Sequence, residues 1–349
     1  MAEEYNKTNG LKNLGNTCYI NSVIQCLSYT IDLSNYFLSG NYKKDAAARS
    51  EILLRSKGTT CLQDVKNNNV ILESYVKLLK GLWNLDKIIA PVTFVENFNR
   101  LNLYYGEQQD SQEALGFILD ELHKSLSRHV KMKVGVGEEN KETAESRVIW
   151  KKFYENDYSE IIKLFYSQIY SYIQCECGYI SRTFDPINML SCEIPCNKIV
   201  DEQKEINIYD CLDSFFSTES LNDYKCSGCK TVVDINRKIS IKRAPNHLII
   251  HLKRFVANNG SYIKLSIPVS FPLYLNIFRY TEEDIPKKES IYHLYAVINH
   301  IGTMFDGHYY CYCNTPSGKW ICINDEYIEE IDMMNTQNRH AYILFYRKV

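Results

Sequence analysis

The hydrophobic period changes once along this chain, and that change limits the folds open to it. Up to about residue 130 apolar positions recur at helical spacing: Tyr19, Val23, Cys26 and Leu27, then Leu115, Ile118, Leu119 and Leu122 in "SQEALGFILDELHKSL". From "HLIIHLKRF" onward, the runs "YHLYAVINH", "GHYYCYC", "KWICIN" and "AYILFY" are short, rich in β-branched and aromatic residues, and separated by turn residues. Those are strand signals. The expected class is α+β, a helical lobe followed by a largely antiparallel sheet lobe, with an insertion between them that carries paired cysteines. The polar, aperiodic stretch "KMKVGVGEENKETAESR" is expected to be a surface loop.

At 349 residues and 45% hydrophobic content the chain can bury a sizeable core, and its formal charge of −2 offers no basic footprint for nucleic acid. A zinc-ribbon nucleic-acid module is disfavoured on that ground. Neither a signal peptide nor a membrane-length apolar run of about 18 residues is visible, so the expectation is an intracellular chain, cytoplasmic or nuclear, with no membrane partner. In a reducing compartment 13 cysteines, an odd number, point to metal ligands, a nucleophile or core positions rather than a disulfide framework.

The stretch "GLKNLGNTCYINSVIQCL" places Cys18 at the start of a helix that reads as amphipathic. The positive end of a helix favours thiolate over thiol. Thr17 is the expected N-cap and Gly15 permits a sharp turn, while Asn13 and Asn16 offer amides to an oxyanion. The alternative is a buried, inert thiol. A thiolate nucleophile needs a base and a group that orients the base. His308 opens a strand whose hairpin return is polar. If Thr315 faces Gly318 across the turn "TPSG", His308 falls opposite Asp325 and Tyr309 opposite Asn324. A bulge at Gly318 shifts that pairing, so Asn324 and Asp325 both remain candidates. A structural hydrogen bond is the competing reading of His308. "YKCSGCK" carries Cys226 and Cys229 at zinc-knuckle spacing, and "DSQE" fits a capping box with Asp110 at the N-cap and Glu113 reaching back.

Taken in order, "GLKNLGNTCYINSVIQCL", "QQDSQEALGFILDELH", "PNHLIIHLKRF", "VSFPLYLNI", "YHLYAVINHIGTMFDGHYYCYC" and "KWICINDEYI" resemble the ubiquitin-specific protease family of cysteine deubiquitinases, from Gly10 to Tyr346. The resemblance implies a papain-like architecture over the whole chain, 1–349: a helical thumb at about 10–160, fingers with a zinc ribbon at about 165–245, and an antiparallel palm sheet at about 246–349. It implies Cys18 as nucleophile, His308 as general base and acid, and Asn13 as the oxyanion-hole amide. The family pattern puts the third triad member four positions after Trp320, at Asn324, with Asp325 as a neighbouring acidic position that supports or substitutes for it. Asp110, Glu113, His300, Gly307 and Tyr309 would bind the C-terminal tail of ubiquitin. The segments Ile301–Gly307 and "VANNGSY" would be flaps over that tail.

By the same resemblance Cys175, Cys177, Cys226 and Cys229 would hold a structural Zn2+, although only one residue separates the first two cysteines where the family usually has two. Cys192 and Cys196 are the alternative pair, with Cys192 preferred as core. Cys26, Cys311, Cys313 and Cys322 read as core; Cys61 and Cys211 have no assignment. The implied activity is hydrolysis of the peptide or isopeptide bond after ubiquitin's terminal glycine. A catalytically silent ubiquitin-binding scaffold, or a protease for another ubiquitin-like modifier, is the alternative. The implied partners are ubiquitin, ubiquitinated proteins and an activating protein.

Overall fold

Helix α1 (Cys18–Ser28) is buried on every side, so the expectation of an amphipathic helix fails. It lies between the helical lobe and the large sheet, which leaves no face for water. Two of its polar side chains bond to backbone: Gln25 Nε2 donates to the Asn9 carbonyl (2.8 Å), and Ser28 Oγ donates to the Gln25 carbonyl (2.8 Å). The computed structural model describes residues 9–57, 62–85, 87–102, 106–133, 141–196, 205–258, 260–303, 306–336 and 338–349. Cys61 lies outside them.

The helical lobe continues through α2 (Ile31–Leu38), α3 (Tyr42–Lys57), α4 (Leu62–Asn84), α5 (Val92–Asn102), α6 (Ser111–Leu126), α7 (Lys141–Tyr154) and α8 (Glu160–Phe165). The stripe predicted on α6 is buried, with Leu115, Ile118, Leu119 and Leu122 fully enclosed. Helix α7 corrects the loop expected there. Its inward positions Thr143, Ser146, Trp150 and Tyr154 follow helical spacing, but two of them are hydroxyl residues that an apolar pattern does not register. Ser146 Oγ donates to Gln168 Oε1 (2.7 Å), and the Arg243 guanidinium lies 4.6 Å from the Trp150 ring centroid. Residues 134–140 of that stretch fall outside the described residues.

The strands are β1 (Ser167–Gln174), β2 (Ile180–Ile187), β3 (Leu190–Glu193) and β4 (Ile206–Asn207), then, after α9 (Ile208–Phe215), β5 (Glu219–Lys225), β6 (Val232–Arg243), β7 (His247–Lys253), β8 (Phe255–Asn258), β9 (Ser261–Lys264), β10 (Val269–Ser270), β11 (Tyr274–Asn276), β12 (Ile291–Gly302), β13 (Gly307–Asn314), β14 (Trp320–Asn324), β15 (Tyr327–Ile331) and β16 (Ala341–Lys348). One sheet has the order β2-β1-β6-β5. The large sheet runs β15-β14-β13-β12-β16-β7-β3, with β11 also paired to β12. It is antiparallel except where β3 joins β7 in parallel, so the strand Leu190–Glu193 belongs to the large sheet although the chain around it builds the smaller one. β8 and β9 form a separate hairpin.

Both faces of the large sheet are covered. Ile298, Cys311, Ile323 and Phe345 pack with α1, α4 and α6, whereas Leu294, Val297, Leu344 and Tyr346 pack with α9 and the β10–β11 region. This explains why β12 is almost continuously buried where a one-sided strand alternates. Among the described residues no helix is long and apolar enough to cross a membrane.

The β13–β14 hairpin departs from the predicted register. Asn314 pairs with Trp320, and the Thr315 N–H donates to the Lys319 carbonyl (2.8 Å), so Thr315 faces Lys319 rather than Gly318. The loop holds one more residue than expected, with Gly318 at φ +83° supplying the left-handed turn. Ladder pairing of β13 with β14 ends at Cys311–Ile323, and the first part of β13 pairs with β12 instead, His308 opposite Ile301. Asp325 is therefore not the cross-strand partner of His308.

Candidate active site

The loop before α1 is fastened to the far end of the chain. The Leu11 N–H donates to the Asp325 carbonyl (2.9 Å) and the Lys12 N–H to the Ile89 carbonyl (2.8 Å). Gly10 runs so close to Glu326 that a Cβ would lie 2.5 Å from its backbone, which is why no side chain fits there. Asn13 Oδ1 accepts from the N–H groups of Gly15 (3.0 Å) and Thr17 (3.2 Å), folding the loop over its own amide. Gly15 at φ +98° and Asn16 at φ +53° complete the turn. Asn16 Nδ2 donates to the Gly106 carbonyl (2.8 Å), so this amide ties the loop to the α5–α6 connection.

Thr17 occupies the N-cap position of α1 but makes no capping bond; its Oγ1 accepts from the Leu14 N–H (2.9 Å) instead. The expected cap is thus used within the loop. Thr17 leaves α1 without a side-chain cap from its own N-cap residue, and the N-terminal end of a helix favours negative charge beside Cys18. Cys18 itself is 4% exposed.

His308 stands at the start of β13 with Nε2 2.6 Å from Asn324 Oδ1 and 4.0 Å from Asp325 Oδ2. The Cys18 sulfur is the strongest influence on the ring. Although partial burial acts the other way, that sulfur, with the Asn324 amide and the Asp325 carboxylate, pushes the imidazole up to about 9. With Nε2 engaged by Asn324, the nitrogen left for the sulfur is Nδ1. Asp325, at φ +51°, does something else: its Oδ2 accepts from Asn13 Nδ2 (2.9 Å) and its Oδ1 from Asn21 Nδ2 (2.8 Å). One carboxylate thereby holds the loop amide and α1 together, and one Asn13 amide hydrogen remains uncommitted by that bond.

On the other side of the cleft, Asp110 caps α6 by accepting from the Gln112 N–H (2.7 Å), and its second oxygen accepts from the Tyr342 hydroxyl (2.5 Å). Burial raises its pKa. The predicted capping box is half made, because Asp110 caps whereas no return bond from Glu113 is present among the described residues; Glu113 is exposed. The His300 ring packs at a 46° tilt against Tyr309 with centroids 4.5 Å apart, beside Phe255 at 5.3 Å. Burial, then the nearby Lys264 ammonium, push it down to about 3, so it is neutral at physiological pH. A Cβ on Gly307 would lie 2.1 Å from His300 Nε2, which makes this a position for glycine alone.

Several contacts at the site escaped sequence reasoning. The Gly307 N–H donates to Gln108 Oε1 (3.0 Å) and links the two lobes across the cleft. Lys264 Nζ donates to the carbonyls of His300 (2.8 Å) and Gly302 (3.0 Å), and burial pushes it down to about 8. Gln108 stands in a quoted motif, yet nothing local names a partner so distant in sequence. Of the two expected flaps, "VANNGSY" runs through the β8–β9 hairpin and Ile301–Gly307 joins β12 to β13. Their tips, residue 259 and residues 304–305, lie outside the described residues.

At the tip of the four-stranded sheet, the sulfurs of Cys175, Cys177, Cys226 and Cys229 all lie within 4.8 Å of one another. Cys175 to Cys229 is 3.9 Å and Cys177 to Cys226 is 3.8 Å. A tetrahedron of Zn–S bonds has edges of about 3.8 Å, so the donor set fits that ion. The short Cys175–Cys177 spacing is absorbed by a turn in which the Gly178 N–H donates to the Cys175 carbonyl (2.9 Å) with Gly178 at φ +84°. Cys192 is buried in β3 and Cys196 is exposed beyond it, neither being part of the cluster. Cys211 is core, on α9.

A cysteine at a helix start beside a histidine on the facing sheet, the histidine held by an asparagine amide, defines the class of a thiol hydrolase site on an α+β scaffold. The chain belongs to the ubiquitin carboxyl-terminal hydrolase family, whose sequence profile matches residues 9–346. It is 34% identical over 351 residues to human "Ubiquitin carboxyl-terminal hydrolase 2", covering 97% of this chain and 54% of that one. With human "Ubiquitin carboxyl-terminal hydrolase 21" the identity is 29% over 367 residues, covering 97% of this chain and 61% of the relative. The chain thus spans little more than half the length of these relatives. Among solved structures it is similar to the SAGA DUB module Ubp8/Sgf11/Sus1/Sgf73 bound to monoubiquitin, with TM-score 0.74 and 25% identity over 99% of this chain and 70% of that chain. The same module bound to ubiquitin aldehyde gives TM-score 0.73 at 25% identity, with the same coverage.

Proposed function

We propose that this chain is a deubiquitinating cysteine protease that cleaves the peptide or isopeptide bond after the C-terminal glycine of ubiquitin. The observation that carries the reading is His308 between the Cys18 sulfur and Asn324, with its imidazole pushed up to about 9. A protonated His308 beside the sulfur would pair with a thiolate, the form of a cysteine that acts as nucleophile. Cys18 Sγ attacks the glycine carbonyl. The oxyanion accepts hydrogen bonds from the uncommitted Asn13 amide hydrogen and the Cys18 N–H. His308 then protonates the departing lysine amine, leaving an acyl thioester. Water, deprotonated by His308, hydrolyses the thioester and releases ubiquitin.

In this reading Asn324 fixes the imidazole, and Asp325 positions Asn13 and α1. Asp110 acts mainly by shaping the cleft wall, since both its oxygens are engaged; Glu113, His300, Gly307 and Tyr309 line the tail channel with it. The lobes at about 10–160, 165–245 and 246–349 serve as thumb, fingers and palm. The four-cysteine tip holds a Zn2+ that supplies rigidity rather than chemistry, because four thiolates leave no open position for water. The partners are ubiquitin and ubiquitinated proteins inside the cell. The relatives' names and the ubiquitin-bound neighbours support the modifier assignment.

Incubation with ubiquitin bearing a C-terminal electrophile tests the reading. Covalent capture is expected, and Cys18→Ala abolishes it; capture that survives the substitution, or equal capture by the SUMO and NEDD8 reagents, contradicts it. A second measurement separates the two neighbours of His308. Asn324→Ala should lower kcat roughly 10- to 100-fold by releasing the imidazole, whereas Asp325→Ala should also reduce the thermal transition because Asn13 and Asn21 lose their shared acceptor.

A further inference from the structure

A groove of about 700 Å3 crosses the helical lobe away from the catalytic cleft, between the C-terminal half of α4 and a wall made by Leu85 and residues 87–91, which lead into α5. Its rim exposes large apolar side chains, Leu85 at 43% and Ile88 at 53%, above a floor that includes Phe94. Exposed side chains of this kind are ordinarily scattered singly, whereas Leu85 and Ile88 share one concavity. Three cations surround them, Lys77 and Lys80 on the α4 wall and Lys87 on the facing segment, and the described lining residues include no carboxylate; Asp86, between Leu85 and Lys87 in sequence, lies outside the described residues. For a chain of net charge −2 this is a local concentration of positive charge around an apolar slot.

We propose that this groove is the docking surface for an acidic amphipathic segment of a partner protein, one that seats two or three large apolar side chains between carboxylates paired to Lys77, Lys80 and Lys87. The occupant is read from charge complementarity. A second copy of this chain does not satisfy it, because a two-fold contact through the groove brings like charges together. The floor is joined to the catalytic loop: the Ile89 N–H donates to the Gly10 carbonyl (3.0 Å), and its carbonyl accepts from the Lys12 N–H (2.8 Å). Gly81 keeps that wall thin, since a Cβ there would lie 2.9 Å from Ile89 Cδ1. An occupant therefore rests one hydrogen-bonded layer from the strand that leads to Asn13 and Cys18.

A displayed library of random 16-residue peptides, selected on the full chain alone, tests this without relying on hydrolytic activity. The expected winners are net negative, with apolar residues at regular spacing and affinities in the micromolar range. Their binding should weaken about tenfold with Ile88→Glu, about fivefold with Lys77→Glu plus Lys80→Glu, and further as salt shortens the Debye length. All of these positions are exposed, so the variants should keep the parental thermal transition. Neutral or basic winners, or winners indifferent to both variants, overturn the proposal. So does binding that emerges only after residues 2–8, with Glu3 and Glu4, are deleted, or a dimer that Ile88→Glu dissolves.

Discussion

His308→Ala is expected to reduce turnover of a fluorogenic ubiquitin conjugate on the order of 1,000-fold or more, with little change in KM. The imidazole is needed twice, as acid toward the leaving amine and as base toward water, so its loss is felt in both half-reactions. The wild-type pH profile supplies an independent check. Cys18, then Asn324, raise the imidazole from 6.5 to about 9 against the opposing effect of burial. A group whose pKa is raised on folding stays protonated below its folded value. Activity requiring imidazolium should therefore hold through neutral pH and decline as pH rises through about 9. In Asn324→Ala the alkaline limb should move to lower pH. A limb that stays put would show that another group governs it.

Cys226→Ser should remove the metal and, with it, the order of the sheet tip. Among the described residues the buried cluster there is Cys175, Cys226 and Ile235, with Ile173, Leu221, Tyr224 and Val233 partly buried against it, a small core to hold two β-turns in place without a further constraint. Metal analysis should give one zinc per wild-type chain and almost none in the variant. KM for ubiquitin conjugates should rise at least about tenfold while kcat changes only a few-fold, since the cleft and the tip share no residues. Cys196→Ser, at an exposed position outside the cluster, should leave both values unchanged. Undiminished zinc in Cys226→Ser would remove the tip from the account.

The two predictions differ in how far they can be read without coordinates. The identities of Cys18, His308 and the cysteine pairs are carried by local motifs, where spacing alone suggests the chemistry. The strand runs and the α6 stripe were equally legible, because their periods report which face is buried. The β13–β14 register was not: one additional loop residue, made possible by Gly318 at φ +83°, moved every pairing. Helix α7 was missed because hydroxyl side chains fill two of its inward positions and find partners such as Gln168 only after the lobes meet. The buried faces of α1 were missed for a related reason. Amphipathicity counts apolar residues, whereas Asn21, Gln25 and Ser28 are buried by virtue of hydrogen bonds to distant or folded backbone and to Asp325.

By itself the sequence pointed to the class of the fold, to Cys18 and His308 as candidates for thiol chemistry and to the Cys226–Cys229 pair, because residue type and short spacing carry those; Cys175 and Cys177 came with the family resemblance. Asn324 meets the imidazole at the position the family resemblance implied, whereas tertiary structure alone decided that Asp325 clamps Asn13 to Asn21 and that Gln108 reaches Gly307 across the cleft. Each is a contact between segments far apart in the chain, set by sheet register and lobe packing to within an ångström, a precision that no local pattern of residues encodes.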